Sequence, residues 1–293
     1  MSHLWRVDWQ PRWRGLVEAE AQALGAGRLV APGLYESERP YLAGRLAFGV
    51  GGGQVAAQGP PETLETPKGA SVHVVKAPCK QSGSPLEFLA RLPQRPAYAP
   101  RGCELELYCP EGDWYLVRTT PAPAFLAPAL PRRTSTSLPS QLARALVNLV
   151  ARPGDRVFDP VCGTGVLLVE AARIGCEVSG SDQSWKAVRW ARENLAALGL
   201  EGAIARANAL TLESEPCDVL VGDLPYGLRL ESADLTPFVD RLPSLAHRWA
   251  LVANTDLSVG LTAAGHPPRL HLEVPKATFV RHVFVGGEGF SAL

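Results

Sequence analysis

The chain has 293 residues, with 29 basic and 29 acidic side chains, so its formal net charge is zero. That excludes a global cationic field as the means of drawing in nucleic acid and leaves only local patches for the task. Apolar residues make up 46% of the chain, enough for a sizeable core, and the length suits one large or two ordinary domains.

The cysteines Cys79, Cys103, Cys109, Cys162, Cys176 and Cys217 include no C-x-x-C pair, so no zinc framework and no bound metal is expected. In a core-rich chain they read as reduced thiols, which points to the cytoplasm. Met1 to Arg6 carries no apolar signal region, and no run approaches the roughly 18 apolar residues of a membrane span.

Leu4 to Trp9 alternate as a strand does, and Arg14 to Leu24 place apolar residues at helical spacing, with Gly25 at the C-cap position. Arg6, Arg12 and Arg14 interleave with Trp5, Trp9 and Trp13, a mixture suited to a phosphate backbone or to a solvated face over buried indoles. Leu29 to Tyr35 and Tyr41 to Val50 look extended. Gly51 to Gly53 read as a turn or flexible link, because no helix follows and no Lys or Ser/Thr stands at phosphate-loop spacing. Ser71 to Lys76 is a strand and Pro85 to Leu92 a short helix. Cys103 to Tyr108 and Trp114 to Arg118 form a hairpin. Residues 1–119 are therefore expected to be a small α+β domain. Pro121, Pro123, Pro128 and Pro131 mark 120–133 as a stiff linker. Pro139 to Val150 follows as an amphipathic helix capped by Ser137 or Ser140.

From Arg156 the pattern alternates regularly. Strands at 156–159, 177–180, 203–206, 219–221 and 249–254 are separated by helices at 165–174, 184–198 and near 235–245. A short helix at 257–264 precedes two closing strands, 269–274 and 278–285. Alternation of this kind implies a parallel α/β sheet covered on both faces, and the closing pair implies an antiparallel edge hairpin. Residues 134–293 would form this domain. Within it, Asp159-Pro160-Val161-Cys162-Gly163-Thr164-Gly165 ends a strand and opens a helix, as a nucleotide-binding turn does. About sixty residues later Asp223-Leu224-Pro225-Tyr226-Gly227 ends another apolar strand. Alone, that second run is composed of ordinary turn residues.

Together these two runs resemble motifs I and IV of the S-adenosylmethionine-dependent amino-methyltransferases. With Ser140 to Asn148 upstream, the chain resembles the THUMP-linked tRNA guanine-N2 methyltransferases over roughly residues 134–285. The resemblance implies a Rossmann-like class I methyltransferase with a seven-stranded, mostly parallel sheet. It implies that S-adenosylmethionine is held by Asp159, Pro160, Cys162, Gly163, Thr164, Gly165, Asp182, Gln183, Asn208, Ala209 and Asp223, with Asp182 on the ribose. It implies that Asp223, Leu224, Pro225 and Tyr226 receive the target amine and base, and that the partner is a nucleic acid, tRNA first. Asn208 stands where the family has Asp. About 130 residues precede the catalytic domain, fewer than the family's usual N-terminal modules, so residues 1–119 are expected to be a reduced, THUMP-like piece. Trp185 suits either an adenine contact or the core. Two other readings stay open: methylation of an amine on rRNA, DNA or a protein amide, and a non-catalytic cofactor-binding subunit that docks a protein partner.

Overall fold

The computed structural model describes residues 1–38, 45–75, 82–99, 103–119, 125–212, 216–224, 236–241, 245–276 and 279–288. The chain divides into two compact units, Met1–Val17 with Leu24–Leu126, and Glu18–Ala23 with Ala127–Leu293. Residues 18–23 therefore group with the second unit, whereas the sequence reading keeps them in the first.

The first unit is built on an eight-stranded mixed sheet in the order β2-β3-β1-β4-β8-β7-β5-β6. Its strands are β1 (His3–Val7), β2 (Arg28–Ala31), β3 (Leu34–Ser37), β4 (Gly49–Gly59), β5 (Ser71–Val75), β6 (Ala97–Tyr98), β7 (Leu105–Tyr108) and β8 (Trp114–Thr119). Helix α1 (Arg14–Ala23) precedes β2, and α2 (Pro85–Ala90) precedes β6. The expected hairpin is present, with β7 antiparallel to β8. The glycine run is not a loop. Gly51, Gly52 and Gly53 lie within β4, opposite Arg6, Trp5 and Leu4 of β1, while β8 pairs on the other flank. Pairing with β1 along the run, and with β8 at Gly53, offsets the poor strand preference of glycine, an effect no local reading registers. α2 opens with a capping box in which Ser84 and Glu87 each satisfy the other's backbone N–H. Phe88 and Leu89 of α2 then cover Val72, Val74, Leu107, Trp114 and Leu116. The Arg/Trp interleaving is taken up within the unit. Trp5 is buried, Arg12 stacks on Trp13 at 5.1 Å, and Arg14 on Trp9 at 5.6 Å.

The second unit carries a seven-stranded sheet in the order β11-β10-β9-β12-β13-β15-β14. Strands β9 (Arg156–Asp159), β10 (Glu177–Asp182), β11 (Ala203–Arg206), β12 (Cys217–Asp223) and β13 (Ala246–Ala253) are parallel. β15 (Phe279–Gly287) runs antiparallel between β13 and β14 (Leu270–Lys276), so the expected closing hairpin is there. Helices α3 (Ser140–Val150), α4 (Val166–Arg173) and α5 (Trp185–Ala197) pack on the sheet. α6 (Thr236–Val239) and α7 (Ser258–Ala263) supply Phe238, Val239 and Leu261 to the core over Leu220, Leu251 and Phe284. No helix among the described residues is long and apolar enough to cross a membrane.

α3 departs from expectation in two ways. Its N-cap is Pro139, with no side-chain cap; Ser137 lies outside the helix and accepts from the Thr134 N–H at 2.9 Å. Its amphipathic sequence is also buried all round apart from Gln141. The reason is that charged partners accompany its polar residues inward. Arg144 Nε donates to Glu170 Oε2 of α4 at 2.8 Å, and Asn148 donates to Glu20 at 2.6 Å, with Glu20 and Glu170 both fully buried. Burial lowers the Arg144 basicity and raises the Glu170 carboxyl, and each partner opposes the other's shift. Glu170 also accepts from Arg173 at 3.1 Å, so its removal takes the compensating charge from a buried cluster. Glu170→Gln should therefore cost about 3–5 kcal/mol of unfolding free energy in urea titrations. Replacing both Arg144 and Glu170 with Leu should cost less than that single change.

Candidate functional site

The carboxyl ends of β9, β10 and β12 converge on one cavity. Its volume is about 660 Å³, and its walls include Asp159, Cys162, Gly163, Asp182, Asn208 and Asp223. Strand register explains the convergence. Asp159 stands opposite Gly180 of β10, and Phe158 opposite Leu220 of β12. Side chains alternate along a strand, so Asp159, Asp182 and Asp223 fall on the same sheet face.

Each loop is shaped by the carboxylate beside it. Asp159 Oδ1 accepts the Val161 N–H at 3.0 Å, which bends the chain directly after β9. Asp182 Oδ2 accepts the Gly163 N–H at 3.0 Å, and its Oδ1 accepts the Ser184 N–H at 2.8 Å. The turn and the start of α5 are thus tied through one side chain. Asp182 thus steadies the approach to α5, whose N-cap is Ser184, and lines the cavity. Gly165 has φ +77°, and a Cβ there would lie 3.1 Å from that of Ala191. It is the hinge into α4 and is not among the cavity-lining residues. Gly180 permits close packing of β10, because a Cβ would meet Leu168 Cδ1 at 2.6 Å and Asp159 O at 2.9 Å.

Asp159 is only 2% exposed. Burial drives its carboxyl well above the usual range; the Val161 N–H opposes this, while Asp223 and Asp182 add to it. Burial, reinforced by Asp159 and Asp182, also keeps the Cys162 thiol protonated. Cys162 is therefore an inert wall residue. Among the described cavity-lining residues Lys186 is the one cation, and its ammonium lies 4.4 Å from the Trp190 ring centroid. Along the described wall three acidic side chains, Asp159, Asp182 and Asp223, face that one cation.

Pro160, Thr164, Gln183, Ala209 and Leu224 also line the cavity, so the structure brings these expected residues together. Leu224 continues the β12 ladder through its N–H to Val252 O at 2.8 Å. Asn208 Oδ1 accepts the Leu210 N–H at 3.0 Å and closes the turn after β11. Pro225, Tyr226 and Gly227 lie outside the described residues. Trp185 is 62% exposed and absent from the cavity wall, so it is not core. Trp190, one turn further along α5, takes a place in the wall. Sequence reading also missed Thr134, Ser137 and Leu138. They reach the cavity because Ser137 Oγ meets Thr164 Oγ1 at 3.2 Å, while Arg132 N and O bond Asn194 of α5. Of the expected linker, 120–133, residues 120–124 lie outside the described residues, and Arg132 near its far end is stitched to α5.

The second unit has the fold of the class I S-adenosylmethionine-dependent methyltransferases. Residues 131–238 match the model of the RMKL-like methyltransferase domain. The tRNA (guanine(10)-N2)-dimethyltransferase of Methanothermobacter thermautotrophicus is 41% identical over 100 residues, which is 33% of this chain and 30% of that protein. The human U6 snRNA (guanine-N(2))-methyltransferase THUMPD2 is 28% identical over 155 residues, 50% of this chain and 31% of that protein. The chain thus spans about a third of the length of these relatives. In fold, the crystal structure of TrmN from Thermus thermophilus aligns with a TM-score of 0.55 over 98% of this chain and 99% of that one, at 22% identity.

A raised carboxyl links the site to stability. Between the ordinary carboxylate value near pH 4 and the higher folded value of Asp159, the folded state holds a proton that the unfolded chain has released. Stability should therefore fall as pH rises through that window. Asp159→Asn cannot ionise and can still accept the Val161 N–H, so it should be more stable than the parent above the window. Unfolding free energies of both proteins from pH 4 to 8 check this; parallel curves would show that Asp159 carries no buried charge.

Proposed function

We propose that the chain transfers a methyl group from S-adenosylmethionine to the exocyclic N2 of a guanine in RNA, with tRNA the first candidate. The observation that carries this reading is the convergence of the two motif strands. Asp159, Asp182 and the Gly163 turn meet Asp223 and Leu224 in one acidic cavity. S-adenosylmethionine fits that cavity because it brings two cations, an ammonium and a sulfonium, which relieve the crowding of three carboxylates. When bound it supplies an electrophilic methyl carbon. In the proposed roles, Asp159 faces the ammonium, directly or through water, and the backbone at Gly163 allows close approach of the amino-acid end. Asp182 takes the ribose hydroxyls, while Gln183, Asn208 and Ala209 border the adenine.

An exocyclic guanine amine is a weak nucleophile, since its lone pair is delocalised into the ring. The Asp223 carboxylate and the Leu224 carbonyl accept its two N–H bonds, which orients the nitrogen and concentrates its electron density for in-line attack. With the cofactor bound, its sulfonium would supply the methyl carbon and the leaving group, and Asp223 would take the proton that the methylated amine loses. Tyr226 offers a stacking surface for a base turned out of its helix. The two curated relatives act, by name, on guanine N2 in two different RNAs. That supports the base and leaves the polymer to experiment. Zero net charge and reduced thiols suit a cytoplasmic enzyme whose RNA contacts are local.

The test is label transfer from methyl-tritiated S-adenosylmethionine to tRNA from cells lacking the protein, followed by nucleoside analysis. Label in N2-methylguanosine is expected. Asp223→Ala should lower the turnover rate about 10²–10⁴-fold, a larger loss than any weakening of cofactor binding read by calorimetry. Bound cofactor with no label in tRNA, and label in ribosomal RNA, DNA or protein instead, would overturn the tRNA assignment.

A further inference from the structure

The strand register of the second unit assembles a cluster away from the cavity that the proposed reaction does not use. His271 lies on β14, His282 on β15, and Asp256 in the loop between β13 and α7. His271 stands opposite Phe284, two residues along β15 from His282, so the two imidazoles are diagonal neighbours across an antiparallel pair. His271 Nε2 lies 3.1 Å from His282 Nδ1 and 4.0 Å from Asp256 Oδ1. One potential ligand atom from each of the three residues falls within 4.8 Å of the others.

We propose that Asp256, His271 and His282 form a binding site for a divalent transition-metal ion of the zinc type. Two imidazole nitrogens at 3.1 Å either share one proton or face a common cation. Tetrahedral zinc with bonds of about 2.0–2.1 Å places its ligand atoms roughly 3.4 Å apart. Reaching that geometry needs only small side-chain rotations here. The groups are already oriented. The His271 ring stacks on Phe284 with centroids 4.6 Å apart, and the His282 ring lies 11° from the plane of Phe284. Asp256 Oδ1 accepts the Ser258 N–H at 2.8 Å, which fixes the carboxylate at the start of α7. Ligand chemistry sets the selectivity. Two imidazoles and a carboxylate suit zinc, cobalt, nickel or iron, whereas magnesium and calcium prefer oxygen alone. Three protein ligands leave a coordination position for water or an incoming group. The bound ion would tie the loop after β13 to the closing hairpin.

The test uses the full chain without a histidine tag, stripped with a chelator, kept under a non-thiol reductant and titrated calorimetrically with zinc sulfate. One equivalent should bind, and saturating zinc should raise the melting temperature by about 5 °C. His271→Ala and His282→Ala should each weaken binding at least about tenfold. Asp256→Asn, which keeps the side-chain shape, should weaken it too. All three residues are at least partly solvent-accessible, and circular dichroism confirms that the variants fold. Cobalt in place of zinc should give ligand-field bands without sulfur-to-metal charge transfer. Absence of saturable binding, wild-type affinity in the double histidine variant, or a sulfur-to-cobalt band would each overturn the proposal.

Discussion

Three carboxylates gathered over one end of a parallel sheet repel each other, and the second unit is arranged around holding them there. Asp159 and Asp182 are each fixed by backbone N–H groups from the loop that follows a strand: Val161 for the first, Gly163 and Ser184 for the second. The same bonds that stabilise the charges define the path of the chain. Gly165 lets the start of α4 approach Ala191 of α5, and Gly180 lets β10 approach Leu168 of α4 and the backbone at Asp159. Loop geometry, helix placement and electrostatic preparation are one arrangement described three ways. The excess negative charge is a cost in the empty protein and an attraction for a cation, which is how a binding site stores selectivity.

Much of that site was legible because its determinants are local. Asp159, Gly163 and Gly165 lie within seven residues of sequence, and a strand-turn-helix reading needs nothing from elsewhere. Asp182 and Asp223 recur at the ends of later strands, so the alternation placed them at the same sheet edge. Legibility failed where a partner is remote. Gly51 to Gly53 resemble a loop until the ladder to β1 is known. The burial of Arg144 on α3 depends on Glu170, which arrives from α4. Ser137 resembles a helix cap until Thr164 claims its hydroxyl. His271 and His282 carry no metal-like spacing, and only strand register makes them neighbours.

The first unit shows how a neutral chain distributes its cations. Arg12, Arg14 and Arg91 lie against Trp13, Trp9 and Trp114, each within 6 Å of the ring. Such contacts order the guanidinium groups while leaving their outward edges hydrated. Arg28 is held by Glu36 at 2.7 Å on the adjoining strand. With no net charge to supply bulk attraction, oriented Arg side chains of this kind are what the chain can offer a polyanion.

The position of β15 has a kinetic consequence. It is the last strand of its sheet in chain order, yet it sits inside the sheet, between β13 and β14. Until residues 279–287 have left the ribosome, β13 keeps an open flank rich in apolar side chains, including Trp249, Leu251 and Val252. An uncovered apolar edge is a template for pairing with other chains. The parallel strands can assemble during synthesis, but the sheet cannot close until its end is made. Protection of the nascent chain is therefore needed longest at β13, and the closing hairpin terminates the exposure in a single step.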